Sequence, residues 1–257
     1  MKLLVKKIFN AKIIVFFRNL IKFRQLKVSL NEINTPKSIS DSFCWRTDQG
    51  FKTIFKYSDI LGLFYGIKDS TVFLSFYNKE NILIKKLEIK ELNYSNTLEI
   101  NSKLLDGIED YGVFYIFHKT NSEVNRETII SNRCYVGYSK NNNLYSFVHG
   151  NTYAKSDNIE LHNKLKSHDI IKTSLNRQKY KIQNYFKDFT KTELFFANPT
   201  ENSIDIDIDN KKFYLGKRQS LILEVSNMNS IIFNSNCLYL RPIIFNYKDS
   251  YFDVYHG

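Results

Sequence analysis

From about residue 40 onward the chain runs in short stretches of alternating apolar and polar residues, separated by Asn, Asp, Lys and Ser. The clearest is "SIDIDID", which places Ile204, Ile206 and Ile208 on one face and Asp205, Asp207 and Asp209 on the other, the period-two pattern of a half-buried strand. "TVFLSFYNKENILIKKLEI" predicts a hairpin turning at Asn78–Asn81. "YGVFYIFHK" and "NSIIFNSNCLYLRPIIFNY" are further strand segments. The expected fold class is all-β.

The second half repeats the first in outline. "FKTIFKYSDI" (51–60) stands against "YKIQNYFKDF" (180–189), and "VFLSFYNKEN" (72–81) against "ELFFANPTEN" (193–202). "TLEI" (97–100) faces "ILEV" (222–225), Cys134 faces Cys237, and His149-Gly150 faces His256-Gly257. The common order of these matches predicts two tandem antiparallel β-sandwich units, residues 41–153 and 178–257. The polar stretch 154–177 lacks alternation and is expected to connect them, with a helical turn.

Before residue 40 the period changes. In residues 1–40 Ile8, Phe9, Ile13, Val15, Phe16, Leu20 and Phe23 fall on one broad face of a helix, with Lys7, Arg18 and Lys22 opposite and Lys12 intruding. A basic amphipathic helix is therefore expected, ended by Pro36. Its longest uncharged stretch here, Ile13–Phe17, is too short to cross a bilayer, and no small-residue cleavage site marks a secretory signal. Two placements follow: on an anionic inner membrane face, or docked on the protein's own β-region or on a partner.

The 257 residues carry a net charge of +11, the usual mark of a nucleic-acid binder. Its location argues otherwise. Residues 1–40 hold nine Lys or Arg against the single acid Glu32, so eight of the eleven charges lie there and the β-region is nearly balanced. A phosphate-binding surface needs the excess on the folded body, so no nucleic-acid partner is expected.

Chemistry-bearing motifs are sparse. Cys44, Cys134 and Cys237 form no CxxC pair and are expected as buried free thiols of a reducing, cytoplasmic compartment. The histidines, among them His162 and His168, make no HxH or HExxH, and the aspartates of "DIDIDN" lack the glycine and glutamate of a calcium loop. No metal or cofactor is expected. GxSxG, Walker and GxGxxG motifs are also missing.

What stands out is a set of residues at segment ends: Trp45, the only tryptophan, with Arg46 and Asp48; then Arg133, His149, Arg241 and His256. Aromatic rings cover the C–H faces of sugars while Arg, Asp and His meet hydroxyls and acid groups, so this set is the candidate ligand site. A structural reading competes, with Trp45 as a core plug and Arg–Asp pairs closing sandwich ends. An enzymatic version needs His149 or His256 as general base, oriented by Asp48 or Asp253, and leaves the nucleophile unassigned.

At "YVGYSKNNNLYSFVHGN" and "LRPIIFNYKDSYFDVYHG" the chain resembles a bacterial family of two-unit β-proteins associated with cell-surface polysaccharide biosynthesis genes. The resemblance spans about residues 41–257 and its motifs name no reaction. It implies a glycan context. The expectation is a non-catalytic β-sandwich protein, cytoplasmic or peripheral on the inner membrane face, binding a glycan, a glycolipid or a polysaccharide-assembly protein. A glycan-modifying hydrolase or transferase working in a cleft between the units is the alternative, and a purely structural partner-binding protein the third.

Overall fold

The computed structural model describes residues 35–257 except 142–143, 162–166, 184–188, 226–229 and 250, together with residues 8, 11, 13, 14, 16 and 17. The helix expected for residues 1–40, and His162, therefore lie for the most part outside the described residues. Of that segment Ile8, Ile13, Phe16 and Phe17 each expose more than half of their surface. Among the described residues no helix is long and apolar enough to cross a membrane.

The chain is all-β. In order its strands are β1 (Lys37–Asp41), β2 (Phe43–Arg46), β3 (Phe51–Tyr57), β4 (Thr71–Asn78), β5 (Leu83–Ile89), β6 (Asn96–Ile100), β7 (Tyr111–Lys119), β8 (Ile129–Asn132), β9 (Tyr135–Lys140) and β10 (Ser146–His149). They continue as β11 (Tyr153–Asn158), β12 (His168–Asp169), β13 (Thr173–Gln183), β14 (Lys191–Ala197), β15 (Ile204–Ile208), β16 (Lys211–Leu215), β17 (Ser220–Val225), β18 (Ser230–Cys237), β19 (Ile243–Lys248) and β20 (Tyr251–His256). Among the residues described from 35 onward one short α-helix, α1 (Ile60–Tyr65), is capped by the Asp59 carboxylate and stopped by Gly66. The β4–β5 hairpin turns at the expected place, with Asn78 Oδ1 accepting from the amides of Glu80 and Ile82.

Four of the five sheets form two face-to-face pairs. The first pair is β2-β7-β4-β5 over β10-β9-β3-β6, its core built on Phe43, Phe55, Phe76 and Phe114. The second is β13-β18-β15-β16 over β17-β14-β19-β20, cored by Phe196, Ile204, Ile206 and Phe233. Ranked in chain order with β1 and β8 left aside, the strands stand in the same order in both pairs. On this ranking β10 matches β20 and β6 matches β17, as the expected pairing of 149–150 with 256–257 and 97–100 with 222–225 requires. The other two segment matches shift by one strand, because β3 ranks with β14 and β4 with β15.

The sheet β17-β14-β19-β20 is covered on both faces. Leu194, Phe196 and Ile244 point into the second pair's own core, while Phe195, Ala197, Ile243 and Phe245 join the core of the first pair. Tyr138 meets Phe245 at 4.9 Å and Tyr111 meets Phe195 at 5.4 Å between ring centroids. This explains the unbroken apolar run "LFFA" in β14, since a strand buried on two faces has no polar side to show.

Residues 154–177 are not merely a connector. They carry most of β11, all of β12 and the start of β13. β11 and β12 lie in a fifth sheet, β12-β11-β1-β8, in which β1 pairs antiparallel with β11 and parallel with β8. The alternation was hidden because the inward residues are ionic: Lys155 and Asp157 are buried, Lys155 near Asp169 at 3.6 Å and Asp157 against Lys119 at 3.1 Å.

Candidate functional site

The seven candidate residues separate into three places. Trp45 is fully buried in the first pair, its indole N–H donating to the Tyr77 carbonyl at 2.9 Å. It is a core residue, and its ring is not available to a sugar.

Arg46 and Asp48 belong to a closed ion network. The turn Asp48–Gly50 folds β3 back on β2, and Arg46 N–H donates to Thr53 Oγ1, which in turn donates to the Arg46 carbonyl. The guanidinium binds Asp48 bidentately at 2.9 and 2.8 Å and reaches Glu193 in β14 at 2.6 Å. Phe51 and Phe245 cover it, with ring centroids 4.0 and 4.9 Å from Cζ. Tyr247 donates to Glu193 at 2.6 Å, and Lys191 bridges Glu193 and Glu224. Burial alone would raise the Glu193 pKa, but Arg46, Tyr247 and Lys191 outweigh it and hold the carboxyl down at about 2. Burial likewise opposes the Arg46 charge, and Asp48, Tyr247 and Glu193 restore it. These residues fasten the two sheet pairs together.

Arg133, His149, Arg241 and His256 do come together. β10 and β20 run side by side where the two pairs meet, with Ser146 Oγ donating to Asp253 at 3.1 Å and accepting from the Val254 amide at 3.0 Å. His149 and His256 close these two strands, and the charge of His149 bears on His256. His256 is half-buried. Its two ring nitrogens are out of contact with solvent and make no well-formed hydrogen bond, while backbone groups of His149 and Gly150 lie near enough to favour its charge. Burial first, then the charges of Arg241 and His149, push its pKa down to about 4. Arg241 donates from Nε to the Gly257 carbonyl at 3.3 Å, and its pKa is lowered by desolvation and by Arg133, with Asp41 opposing. Arg133 and His149 are exposed, Arg133 lying over the Tyr153 ring at 5.3 Å and His149 against Tyr135 at 4.3 Å. The glycine after His149 is a packing requirement, since a Cβ at Gly150 would collide with Asp41 and the Phe43 ring.

The general-base arrangement expected from sequence is not present. Asp48 is held by Arg46, and Asp253 Oδ1 accepts from Ser146 and the Val254 amide, so neither carboxylate orients an imidazole. From the strand position opposite Tyr247, where the Arg46 network ends, to His256 is four residues of β20, roughly 13 Å. The calcium-like aspartates are answered by cations: Arg177 pairs with Asp205 and Asp207 at 3.0 and 3.1 Å. Among the described residues no group of three or more His, Cys, Asp or Glu is placed to hold a metal ion. The three cysteines are buried and free, and burial pushes their thiols far above the ordinary range.

Two features escaped the sequence reading. One is a second buried cluster, in which Arg218 binds Asp169 at 3.0 Å and Glu201 at 2.6 Å beside Lys155, whose pKa burial lowers to about 8. The other is Phe147, which alternation in "LYSFVHG" puts on the same outer face as His149.

No protein-family profile and no curated protein matches the chain. Two solved structures show a distant likeness. An anti-sigma factor domain-containing protein is 8% identical, with 84% of this chain and 80% of that chain covered and a TM-score of 0.22. The major pilin protein T3.2 of Streptococcus pyogenes is 11% identical, with 84% of each chain covered and the same TM-score of 0.22. Likeness at that level carries no argument for fold or function.

Proposed function

We propose that this protein is a non-catalytic glycan-binding protein of surface-polysaccharide production, built of two β-sandwich units of one kind. Its site is the Arg133–His149–Arg241–His256 cluster, and its ligand is an acidic sugar residue. The observation that carries this reading is the gathering of Arg133, Arg241 and His149 around the half-buried His256, whose ring nitrogens make no well-formed hydrogen bond. Like charges gathered at one place repel, and here each lowers its neighbour's pKa: Arg133 that of Arg241, and Arg241 and His149 that of His256. A sugar carboxylate relieves that repulsion by pairing with the exposed guanidinium forks of Arg133 and Arg241, and its charge favours the imidazolium of His256. The polysaccharide setting rests on the family resemblance at the two His-Gly segments.

The test is calorimetric titration of the full-length protein with sodium glucuronate and galacturonate against glucose and galactose. The uronates are expected to bind and the neutral sugars not. An Arg133→Ala, Arg241→Ala double variant should lose at least about tenfold in affinity, and higher salt should weaken binding of the parent. Equal binding of acid and neutral sugars, or a double variant indistinguishable from the parent, overturns the proposal.

A further inference from the structure

The sheet face beside the cluster carries a second contact surface. On the outer side of β10-β9-β3-β6 the register places His149 opposite Tyr135 and Lys56 next to it, and Phe147 opposite Gly137 with Ile54 next. The two rows are two residues apart, about 7 Å. Tyr135 exposes 48% and Phe147 40% of its surface. Phe147 lies directly over Gly137: a Cβ there would stand 2.5 Å from the ring, so the missing side chain is what lets the ring settle against the sheet. Tyr145 approaches the same ring at 6.1 Å, and Lys56 Nζ stands 5.1 Å from its centroid.

We infer that this face is a stacking platform for a pyranose ring next to the acidic residue held by the cluster, so that the ligand is a glycan chain alternating acidic and neutral sugars. The inference rests on the acid-binding reading above and extends it. Three observations support a sugar as the occupant. The rings are exposed singly over a narrow strip, rimmed by Lys52, Lys56 and Glu99, which suits a ring with one apolar and several hydroxyl faces. The strip is continuous with the cationic cluster through His149, which touches Tyr135 and is electrostatically coupled to His256. The lysines of the rim also match the sign of an acidic chain.

Three probes separate this inference from its parent: glucuronate, a hyaluronan hexasaccharide (alternating uronate and amino sugar), and the neutral chitohexaose. The parent protein is expected to bind the hyaluronan hexasaccharide more tightly than glucuronate. Phe147→Ala should weaken the hexasaccharide about tenfold and leave glucuronate unchanged. Gly137→Ala, which keeps the ring but lifts it from its seat, should act in the same direction with a smaller loss. Circular dichroism and the thermal midpoint check that each variant is folded. If Phe147→Ala leaves hexasaccharide binding intact while Arg133→Ala, Arg241→Ala abolishes it, the platform is refuted and the acid site stands. If Phe147→Ala weakens both hexasaccharides while the arginine variant matches the parent, the platform stands and the acid site is refuted. Failure of all three probes to bind refutes both.

Discussion

Arg46 and Arg241 both sit on the seam between the two sheet pairs, and they differ in what answers them. Arg46 is buried, bidentate to Asp48, tied across the seam to Glu193 and roofed by two aromatic rings. Each of its three guanidinium nitrogens donates to a partner inside the protein. Arg241 is exposed, shares its neighbourhood with Arg133, His149 and His256, and has Asp41 as the acid that offsets it. A closed network of this kind is part of the fold, whereas an excess of one charge beside a half-buried imidazole is an invitation to a ligand. The same residue type thus reads as a fastener in one place and as a binding group in the other.

The comparison breaks first at Arg46. Arg46→Ala leaves Glu193 buried without its main partner and should cost about 3–5 kcal/mol, whereas Arg241→Ala should change stability by no more than about 0.5 kcal/mol. Urea unfolding measures both, and similar losses at the two positions would dissolve the distinction. A pH series sharpens it. The Glu193 pKa in the folded protein, about 2, is below its ordinary value of 4.5. Its contribution is therefore complete above pH 4.5 and is lost as pH falls toward 2. The loss should come to about 3 kcal/mol, and Glu193→Gln should flatten that limb of the stability curve. Trp45→Phe should cost about 1–3 kcal/mol by leaving the Tyr77 carbonyl without its donor, with sugar affinity untouched. The smallest effect belongs to the aspartate face of β15: Asp205→Asn, which weakens a partly exposed pair with Arg177, should move stability by about 0.5 kcal/mol or less.

Much of the fold was legible where side-chain polarity and burial agree. β15 buries Ile204, Ile206 and Ile208 and turns its aspartates outward, as its alternation requires. Legibility failed where burial is paid for by pairing. Lys155 and Asp157 read as a polar connector, yet both point inward because Asp169 and Lys119 meet them. β14 gave no alternation because both of its faces are covered. For the site, the likeness of the two His-Gly ends pointed to strands that do end side by side. The pairing of Arg46 with Asp48 two residues on looked like ligand chemistry, and the residue that closes it, Glu193, is 147 positions away. Spacing along the chain cannot report such a partner. Phe147 was legible as an outward residue, but its seat on Gly137 depends on strand register.

The most direct test is the titration of the His256 ring, followed by NMR of its Cε1–H signal with and without the hyaluronan hexasaccharide. In the free protein the imidazole should titrate near pH 4, because burial, Arg241 and His149 disfavour its charge. A carboxylate seated in the cluster stabilises the imidazolium, so the pKa should rise by about one unit or more when the glycan is bound. An unchanged or lower value in the presence of saturating glycan would contradict the assignment of this cluster as the acid-binding site.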